Sequence, residues 1–451
     1  MTIALASDTK EVPGPSSWIP GANFLKFRRD PLAFFTDTQR TYGDFAGFSF
    51  GPQQVYLVSH PAWIEDVLVN SAKKFTKGVA LQRAKRLLGE GLLTSEGQAH
   101  LRQRRTIQPM FHREKVQGFA AAMVKHAVRW RDSVSANSTI DVTSEMAALT
   151  LAIVGETLFS SNVQGDTDDV REALTAAVQS FGIAFLPGIE YLEKLPLPMF
   201  VRVRKARERL DKVIHRVIAE RRGESKDSPL QQGDLVSMLL AARDPENPTE
   251  AGMSDQQIRD EAMTIFLAGH ETTANAMAWT WHLLGTSPNV ERKLHEELAR
   301  VLEGHTPSVD DVPRLEYTRA VIAESMRLYP PAWTMGRRAI QAHTIDGHVI
   351  EPGALVILSQ WIAHRDPRWW PSADRFNPDR WAERHHRPKY AYFPFGGGSR
   401  ICIGESFAWT EAILLLATIA QRWRFIGGAA PATEPRITLR PKDLYMQAVP
   451  R

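Results

Sequence analysis

The single cysteine of the chain, Cys402, lies among residue types that suit a metal ligand. Three consecutive glycines, Gly396 to Gly398, come shortly before it, and Arg400 stands two residues before it. Glycines leave the backbone thin and free to adopt left-handed conformations, so a large flat ligand could come close. A helix predicted to start just after Cys402 would stabilise a thiolate. The pattern favours an anionic metal ligand, and a buried structural cysteine is the alternative.

Nucleotide binding is a competing explanation for these glycines. A P-loop needs Gly-Lys-Ser or Gly-Lys-Thr, and a dinucleotide-binding turn needs a glycine where Ile401 stands. Both patterns are missing, so the segment is not predicted to bind a nucleotide.

A second group of reactive residue types lies inside a long predicted helix, residues 254–285. Ser254 and Gln257 form a capping box at its start, and Gly285 closes it. At 1.5 Å per residue the helix would be roughly 45 Å long. Its middle, AGHETT at 268–273, is poor for helix stability. Residue types alone leave open a functional site or a kinked core helix whose threonine hydroxyls bond to carbonyl groups four residues back.

A third pair, Glu324 and Arg327, shares one face of a helix predicted over residues 315–329, which Pro330 and Pro331 end. By itself this spacing is common, and a solvated surface pair is the default interpretation.

Periodicity and turn residues predict the elements that position these groups. Residues 44–59 predict a hairpin, and residues 340–358 predict a second hairpin region around Asp346-Gly347 and Pro352-Gly353.

The pattern is mostly helical from 61 to 330, and a final helix is predicted over 405–422. No internal repeat or step in composition marks a boundary, so we predict a single domain over residues 1–451.

Composition excludes several classes. Among 451 residues, 43% are hydrophobic and 24% charged, which excludes disordered, collagen-like and coiled-coil chains. One cysteine excludes a disulfide framework and a zinc site built on several cysteines. A net charge of +4 gives no reason to expect nucleic-acid binding. There is no apolar run of spanning length and no secretory signal, so we expect a cytoplasmic protein without a membrane anchor.

The segment FGGGSRICIG, residues 395–404, resembles the cysteine loop of the cytochrome P450 haem-thiolate monooxygenases at every defining position. The resemblance implies that the cofactor is haem b and that Cys402 is the axial iron ligand. It also implies that Phe395 packs near the cysteine sulfur and that Arg400 pairs with a haem propionate.

The segment at 268–273 resembles the oxygen-activation motif of the same family. The resemblance assigns Thr272 to hydrogen bonding with dioxygen and Glu271 to proton supply. Ala268 lies one helical turn before Thr272, so both would face the haem.

The family's Glu-x-x-Arg motif is similar to Glu324-Ser325-Met326-Arg327. In the family a second arginine, from a Pro-Glu-Arg-Phe segment, completes a buried triad with a structural role. We assign that place to Arg375 in Ala373-Asp374-Arg375-Phe376, where alanine replaces the proline and aspartate the glutamate.

Haem carries two carboxylates, so cationic side chains should converge on it. By resemblance, His100 and Arg104 occupy the positions of the family's Trp-x-x-x-Arg helix, with histidine in place of tryptophan. Arg337 matches the basic residue on the strand after the Glu-x-x-Arg helix, with Arg338 as its rival.

Family position alone gives the substrate pocket, and about half of its candidates could be ordinary core residues. An uncharged hydrophobic substrate follows, such as a terpenoid, a steroid or a fatty acyl chain. The candidates are Val79, Leu88, Phe181, Phe266, Ala332, Trp333 and Leu444.

The resemblance implies a mostly α fold with a small β-rich region (α+β), a triangular prism with haem between the long central helix and the cysteine-loop helix. It implies insertion of one oxygen atom from O2 into a hydrophobic small molecule, by hydroxylation or epoxidation. The alternatives are a peroxide-driven or oxygen-independent reaction, against which Glu271 and Thr272 argue, or a non-catalytic haem-thiolate sensor.

No flavin or iron–sulfur segment follows Cys402, so we expect electrons from a separate ferredoxin or flavodoxin and an NAD(P)H-dependent reductase. We expect a monomer that presents a basic patch to such an acidic partner. The patch would comprise Arg102, Arg104, Arg105, Arg113, Lys115 and residues 384–389.

Overall fold

A computed structural model describes residues 12–19, 21–159, 197–223, 234–247, 249, 252–382, 386–427 and 429–451. Its α-helices are α1 (Ala22–Arg29), α2 (Pro31–Tyr42), α3 (Pro61–Glu65), α4 (Val79–Leu88), α5 (Gly97–Ile107), α6 (Arg113–Ser133), α7 (Val142–Phe159), α8 (Pro198–Gly223), α9 (Leu235–Ala241), α10 (Asp255–Gly285), α11 (Pro288–Leu302), α12 (Glu316–Leu328), α13 (Gln360–Ala363) and α14 (Glu405–Ala420). Its strands are β1 (Phe45–Phe50), β2 (Gln53–Val58), β3 (Phe75–Lys77), β4 (Thr139–Asp141), β5 (Met335–Ala339), β6 (His343–Ile345), β7 (His348–Ile350), β8 (Leu355–Leu358), β9 (Trp423–Ile426), β10 (Ala432–Pro435), β11 (Leu439–Lys442) and β12 (Tyr445–Pro450). Helices make up 57% of the structure, which confirms the mostly α prediction.

The chain divides into two compact units. The first comprises residues 1–82, 332–375 and 385–402, and the second comprises residues 83–331, 376–384 and 403–451. The prediction of a single domain stays a prediction.

The first unit is built on a five-stranded sheet with the order β1-β2-β8-β5-β3. β1 and β2 form the hairpin predicted for residues 44–59, and β2 pairs in parallel with β8. In the second predicted hairpin region, Asp346 and Gly347 adopt positive φ angles of 49° and 80° and join β6 to β7. In the chain this inner hairpin follows β5 and precedes β8, and β5 and β8 pair with each other. Both predictions are confirmed.

The second unit is organised around α10, whose predicted bounds and capping box are confirmed. The Ser254 side chain accepts a hydrogen bond from the Gln257 backbone, and the Gln257 side chain accepts one from the Ser254 backbone. Of the 31 residues in α10, 22 are buried. Such a helix must be surrounded by protein, and α10 contacts α7, α8, α9, α11, α12 and α14.

An ionic network fixes one end of α12. The Glu324 carboxylate is fully buried and accepts hydrogen bonds from Arg327 at 2.8 and 2.9 Å. Arg380 Nε donates to Glu324 Oε1 at 2.9 Å. The Asn377 backbone N–H donates to Oε1 at 3.1 Å, and Trp381 Nε1 donates to Oε2 at 3.0 Å. The surface-pair interpretation is therefore wrong, and the buried network is present.

The assignment of Arg375 to this network is wrong. Arg375 is exposed, whereas Arg380 is buried and bonded to Glu324. The sequence repeats acid-Arg-aromatic five residues later, as Pro378-Asp379-Arg380-Trp381, and only this copy keeps the proline. Pro378 begins a 3₁₀ turn, Pro378–Trp381, whose backbone carries Arg380 inward. The retained proline was the signal that distinguishes the two copies.

We predict that Arg380→Ala destabilises the protein by about 3–5 kcal/mol, because it leaves a buried carboxylate short of one of its two cations. Arg375→Ala is the matched control and should change stability by no more than about 0.5 kcal/mol. Thermal unfolding of both variants measures this. Equal effects of the two substitutions would contradict the correction.

Candidate active site

The cysteine loop is a tightly packed turn in the first unit. The Cys402 backbone N–H donates to the Phe395 carbonyl at 2.9 Å. Gly398 has a φ of 66°, and a Cβ there would lie 2.0 Å from the Leu68 carbonyl oxygen. A Cβ at Gly397 would lie 2.5 Å from the Tyr390 ring. These two glycines are thus required by close packing of the protein chain on itself.

The thiol of Cys402 is exposed, although the loop around it is ordered by hydrogen bonds. This contradicts the alternative of a buried structural cysteine. Phe395 and Arg400 are partly exposed in the same loop.

The two arginines of β5 lie in different environments, as the alternation of side chains along a strand requires. Arg337 is 9% exposed and pairs in register with Val356, whereas Arg338 is exposed. A buried guanidinium suits a buried carboxylate, so the structure favours Arg337 over Arg338 as a propionate partner.

The middle of α10 combines an accessible site with an otherwise buried helix. Ala268 is exposed, while Phe266 and Leu267 before it are buried. Thr272 Oγ1 donates to the Ala268 carbonyl at 2.8 Å, and Thr273 Oγ1 donates to the Gly269 carbonyl at 3.3 Å. The back-bonding expected of a core helix is therefore present, within one continuous helix. Because its hydrogen is engaged, Thr272 presents oxygen lone pairs to any further partner.

Glu271 has a partner that sequence analysis missed. Thr438 Oγ1, just before β11, donates to Glu271 Oε1 at 2.8 Å. Asn275 Nδ2 donates to Thr438 Oγ1 at 3.0 Å. No spacing rule could predict this contact, because 167 residues separate Thr438 from Glu271.

His100 and Arg104 lie one turn apart on α5, as the resemblance implies. His100 is buried and Arg104 is partly exposed.

The pocket candidates divide by burial. Val79 and Ala332 are partly exposed, whereas Leu88, Phe266, Trp333 and Leu444 are buried. Leu88 and Phe266 belong to one hydrophobic core cluster, and Trp333 packs on Phe35 with ring centroids 6.0 Å apart. The buried four fit the core-residue interpretation. Phe181 lies outside the described residues.

A second missed residue is Glu411, on α14. It is fully buried, and burial raises the pKa of its carboxyl to about 8. The sequence signal was an acid within the apolar run of α14, AWTEAILLLA.

The donor set suits haem better than a bare metal ion. Among the described residues, no group of three or more histidine, cysteine and acidic side chains could hold a metal. An iron held by one thiolate must bring its other ligands with it, as haem iron does.

Comparison with known proteins agrees with these features. The family model for cytochrome P450 matches residues 12–448. This chain belongs to the cytochrome P450 family.

Three similar P450 relatives are bacterial. Cyclooctatin synthase of Streptomyces melanosporofaciens is 39% identical over 95% of this chain and 93% of its own length. Cyclooctat-9-en-7-ol 5-monooxygenase of the same organism is 36% identical over 94% and 92%. Pentalenene oxygenase of Streptomyces avermitilis is 33% identical over 94% and 92%.

The chain is therefore a cytochrome P450 monooxygenase, an oxidoreductase with a haem-iron cofactor. Among the described residues, no helix combines the length and apolar character that crossing a bilayer requires.

We predict that Glu411 contributes a loss of stability as pH rises from about 4.5 to about 8. Below this window the carboxyl is protonated in the folded and the unfolded chain. Within it the unfolded chain ionises first, so the contribution of Glu411 to the free energy of unfolding falls by about 1.4 kcal/mol per pH unit. Half-buried His295, whose pKa is lowered to about 4, contributes the opposite slope below pH 6.5, so the comparison with a Glu411 variant isolates the carboxyl.

Glu411→Gln removes this dependence. The stability of the variant relative to wild type should rise with pH across the window, above a pH-independent offset. Thermal unfolding at several pH values measures it, with Glu405→Gln at the partly exposed start of α14 as the control. A constant difference between Glu411→Gln and wild type would contradict the prediction.

Proposed function

We propose that this P450 binds haem b through Cys402 and inserts one oxygen atom from O2 into a terpenoid, by hydroxylation or epoxidation. The observation that carries the proposal is the accessible thiol of the chain's only cysteine, in a loop that matches the family motif. When bound, the haem supplies the iron at which dioxygen is activated.

The substrate class rests on relatives and on pocket chemistry together. Two of the relatives are named for oxidising cyclooctat-9-en-7-ol and pentalenene, and both fall in the terpenoid class. The two partly exposed pocket candidates, Val79 and Ala332, are uncharged and apolar, as an uncharged terpenoid requires.

Four cationic or hydrogen-bonding side chains are proposed to hold the haem carboxylates. They are His100, Arg104, Arg337 and Arg400. Guanidinium groups match carboxylates in a bidentate geometry, and a histidine ring can donate one hydrogen bond.

Thr272 and Glu271 are proposed to manage protons in the oxygen site. An apolar pocket excludes bulk water, so protons must come from positioned groups. Thr272 Oγ1, whose hydrogen is held by Ala268, can accept a hydrogen bond and so orient a donor. Glu271 is partly exposed and can exchange protons with water.

Electrons are proposed to come from a separate acidic ferredoxin or flavodoxin and its NAD(P)H-dependent reductase. The P450 that receives them is proposed to be a monomer and to bind no nucleic acid. Arg102, Arg113 and Lys115 are exposed and lie in the second unit. Arg105 is engaged with Asp244 and Glu246, so it contributes less to the patch than predicted. Association should weaken as salt is raised.

We expect Cys402→Ala to abolish terpenoid oxidation and the thiolate-type spectrum of the reduced CO complex, because no other thiol exists to ligate the iron. Wild type and variant are compared with surrogate redox partners on a panel of terpenoids that includes cyclooctat-9-en-7-ol and pentalenene, together with a steroid and a fatty acid. Oxidised products are measured alongside the CO spectra. A variant that keeps the spectrum would overturn the ligand assignment, and oxidation by wild type of steroids or fatty acids alone would overturn the substrate class.

Thr272→Ala should leave haem content and the CO spectrum intact but lower the product formed per NADPH and raise hydrogen peroxide release. The loss should be about 10-fold or more, because a positioned proton-transfer group contributes about 10²–10⁴-fold to a rate. Thr272→Ser keeps the hydroxyl and serves as the control. If Thr272→Ala couples NADPH to product as well as wild type does, the threonine has no role in proton handling.

A further inference from the structure

A chain of three polar side chains runs across the middle of the second unit. Asn275 Nδ2 donates to Thr438 Oγ1 at 3.0 Å, and Thr438 Oγ1 donates to Glu271 Oε1 at 2.8 Å. Asn275 and Thr438 are 3% and 5% exposed. Glu271 and Asn275 are four residues apart on α10, so one hydroxyl from outside the helix bridges two side chains on the same face.

The chemistry of the three groups determines which of them donates and which accepts in each hydrogen bond. A hydroxyl has one hydrogen, and the Asn275 amide nitrogen can only donate. Thr438 Oγ1 therefore accepts from Asn275, and it donates its own hydrogen to an ionised Glu271, which has no hydrogen to give. While this bond is in place Oε1 is an acceptor, and a proton that reaches the carboxyl is taken up at Oε2.

The backbone around Thr438 is held in place from both sides. The Thr438 carbonyl accepts from the Arg436 backbone N–H at 3.1 Å. The Leu439 carbonyl accepts from Trp279 Nε1 on α10 at 3.0 Å, and the Leu439 N–H donates to the Pro331 carbonyl at 2.9 Å. The hydroxyl is thus presented to Glu271 by a rigid segment, as a preorganised group must be.

We propose that Thr438, oriented by Asn275, is a positioning residue for the proton-supplying acid of this P450. It holds Oε1 so that protons enter and leave Glu271 at Oε2 alone. Oε2 takes a proton from water and later releases it to an acceptor that passes a proton on to the oxygen site, so the carboxyl is unchanged after each cycle. The inference rests on the proposed role of Glu271.

A purely structural clamp between α10 and the segment before β11 would use the same contacts, so the test must separate the two. Thr438→Val removes the hydroxyl with little change of shape, and Thr438→Ser restores it. Asn275→Asp reverses the hydrogen bond between residue 275 and Thr438. An aspartate carboxylate would accept the hydroxyl hydrogen that Thr438 otherwise donates to Glu271. Thr286→Val is the matched control, since its hydroxyl bonds only to carbonyl groups at the end of α10.

Each holoenzyme is assayed with surrogate redox partners on the panel terpenoid that wild type oxidises fastest. NADPH, hydrogen peroxide and product are measured together, with CO spectra and thermal unfolding. We expect Thr438→Val and Asn275→Asp to lower product per NADPH by about threefold to tenfold, the range for loss of one hydrogen bond, with the CO spectrum unchanged. Thr438→Ser and Thr286→Val should couple as wild type does.

A double mutant separates this inference from the function on which it rests. Adding Thr438→Val to Glu271→Ala should cause no further uncoupling, because Thr438 acts through Glu271. If Glu271→Ala uncouples but Thr438→Val does not, or if the two effects add, the positioning role is overturned. If Glu271→Ala itself couples normally, or wild type oxidises no terpenoid, the proposed function fails and takes the inference with it.

Discussion

The buried carboxylate of Glu324 is the constraint on which the second unit depends. Removing an ionised carboxyl from water costs several kcal/mol unless cations and hydrogen-bond donors replace the lost hydration. Here two guanidinium groups, an indole and a backbone N–H replace it. Because the donors come from α12 and from residues 377–381, the buried charge ties these two segments to each other. α12 in turn contacts α10, α11 and α14, so the network also limits where the central helix can lie.

Local patterns allowed most of the site to be predicted, and long-range contacts account for what was missed. Cys402, Glu324-Arg327 and the α10 segment are recognisable because their spacing is set by one loop or one helix. The choice between Arg375 and Arg380 depended on a turn whose only sequence sign was Pro378. Thr438 could not be predicted, because its contact with Glu271 joins elements far apart in the chain. Trp333 illustrates a third limit, since an aromatic residue suits a core and a pocket equally well.

The hydrogen bonds of Thr272 show that a structural and a functional interpretation of one residue can both hold. Back-bonding to Ala268 is a common arrangement for a threonine in the interior of a helix. That same bond consumes the only hydrogen of the hydroxyl and turns its oxygen into an acceptor of defined direction. Thr438 behaves alike: the amide of Asn275 decides which way its hydrogen points. The Ala268 carbonyl can only accept a hydrogen bond, and the Asn275 amide nitrogen can only donate one. Each therefore determines how the neighbouring threonine hydroxyl, which can do both, is used.

The second unit carries buried carboxyl groups in two different ways. Glu324 is surrounded by cations and donors, whereas burial without such a set raises the pKa of Glu411 to about 8. Burying a neutral carboxyl costs much less free energy than burying an ionised one. Protonation therefore removes the charge of Glu411, whereas two arginines compensate the charge of Glu324. The two solutions differ in what perturbs them. The arginine network depends on the sequence of the Pro378–Trp381 turn, whereas the protonated acid on α14 depends on the pH of the solution. α12, which carries Glu324, contacts α14, which carries Glu411. Loss of the proton from Glu411 would therefore place an uncompensated charge in the helix that packs against the Glu324 network.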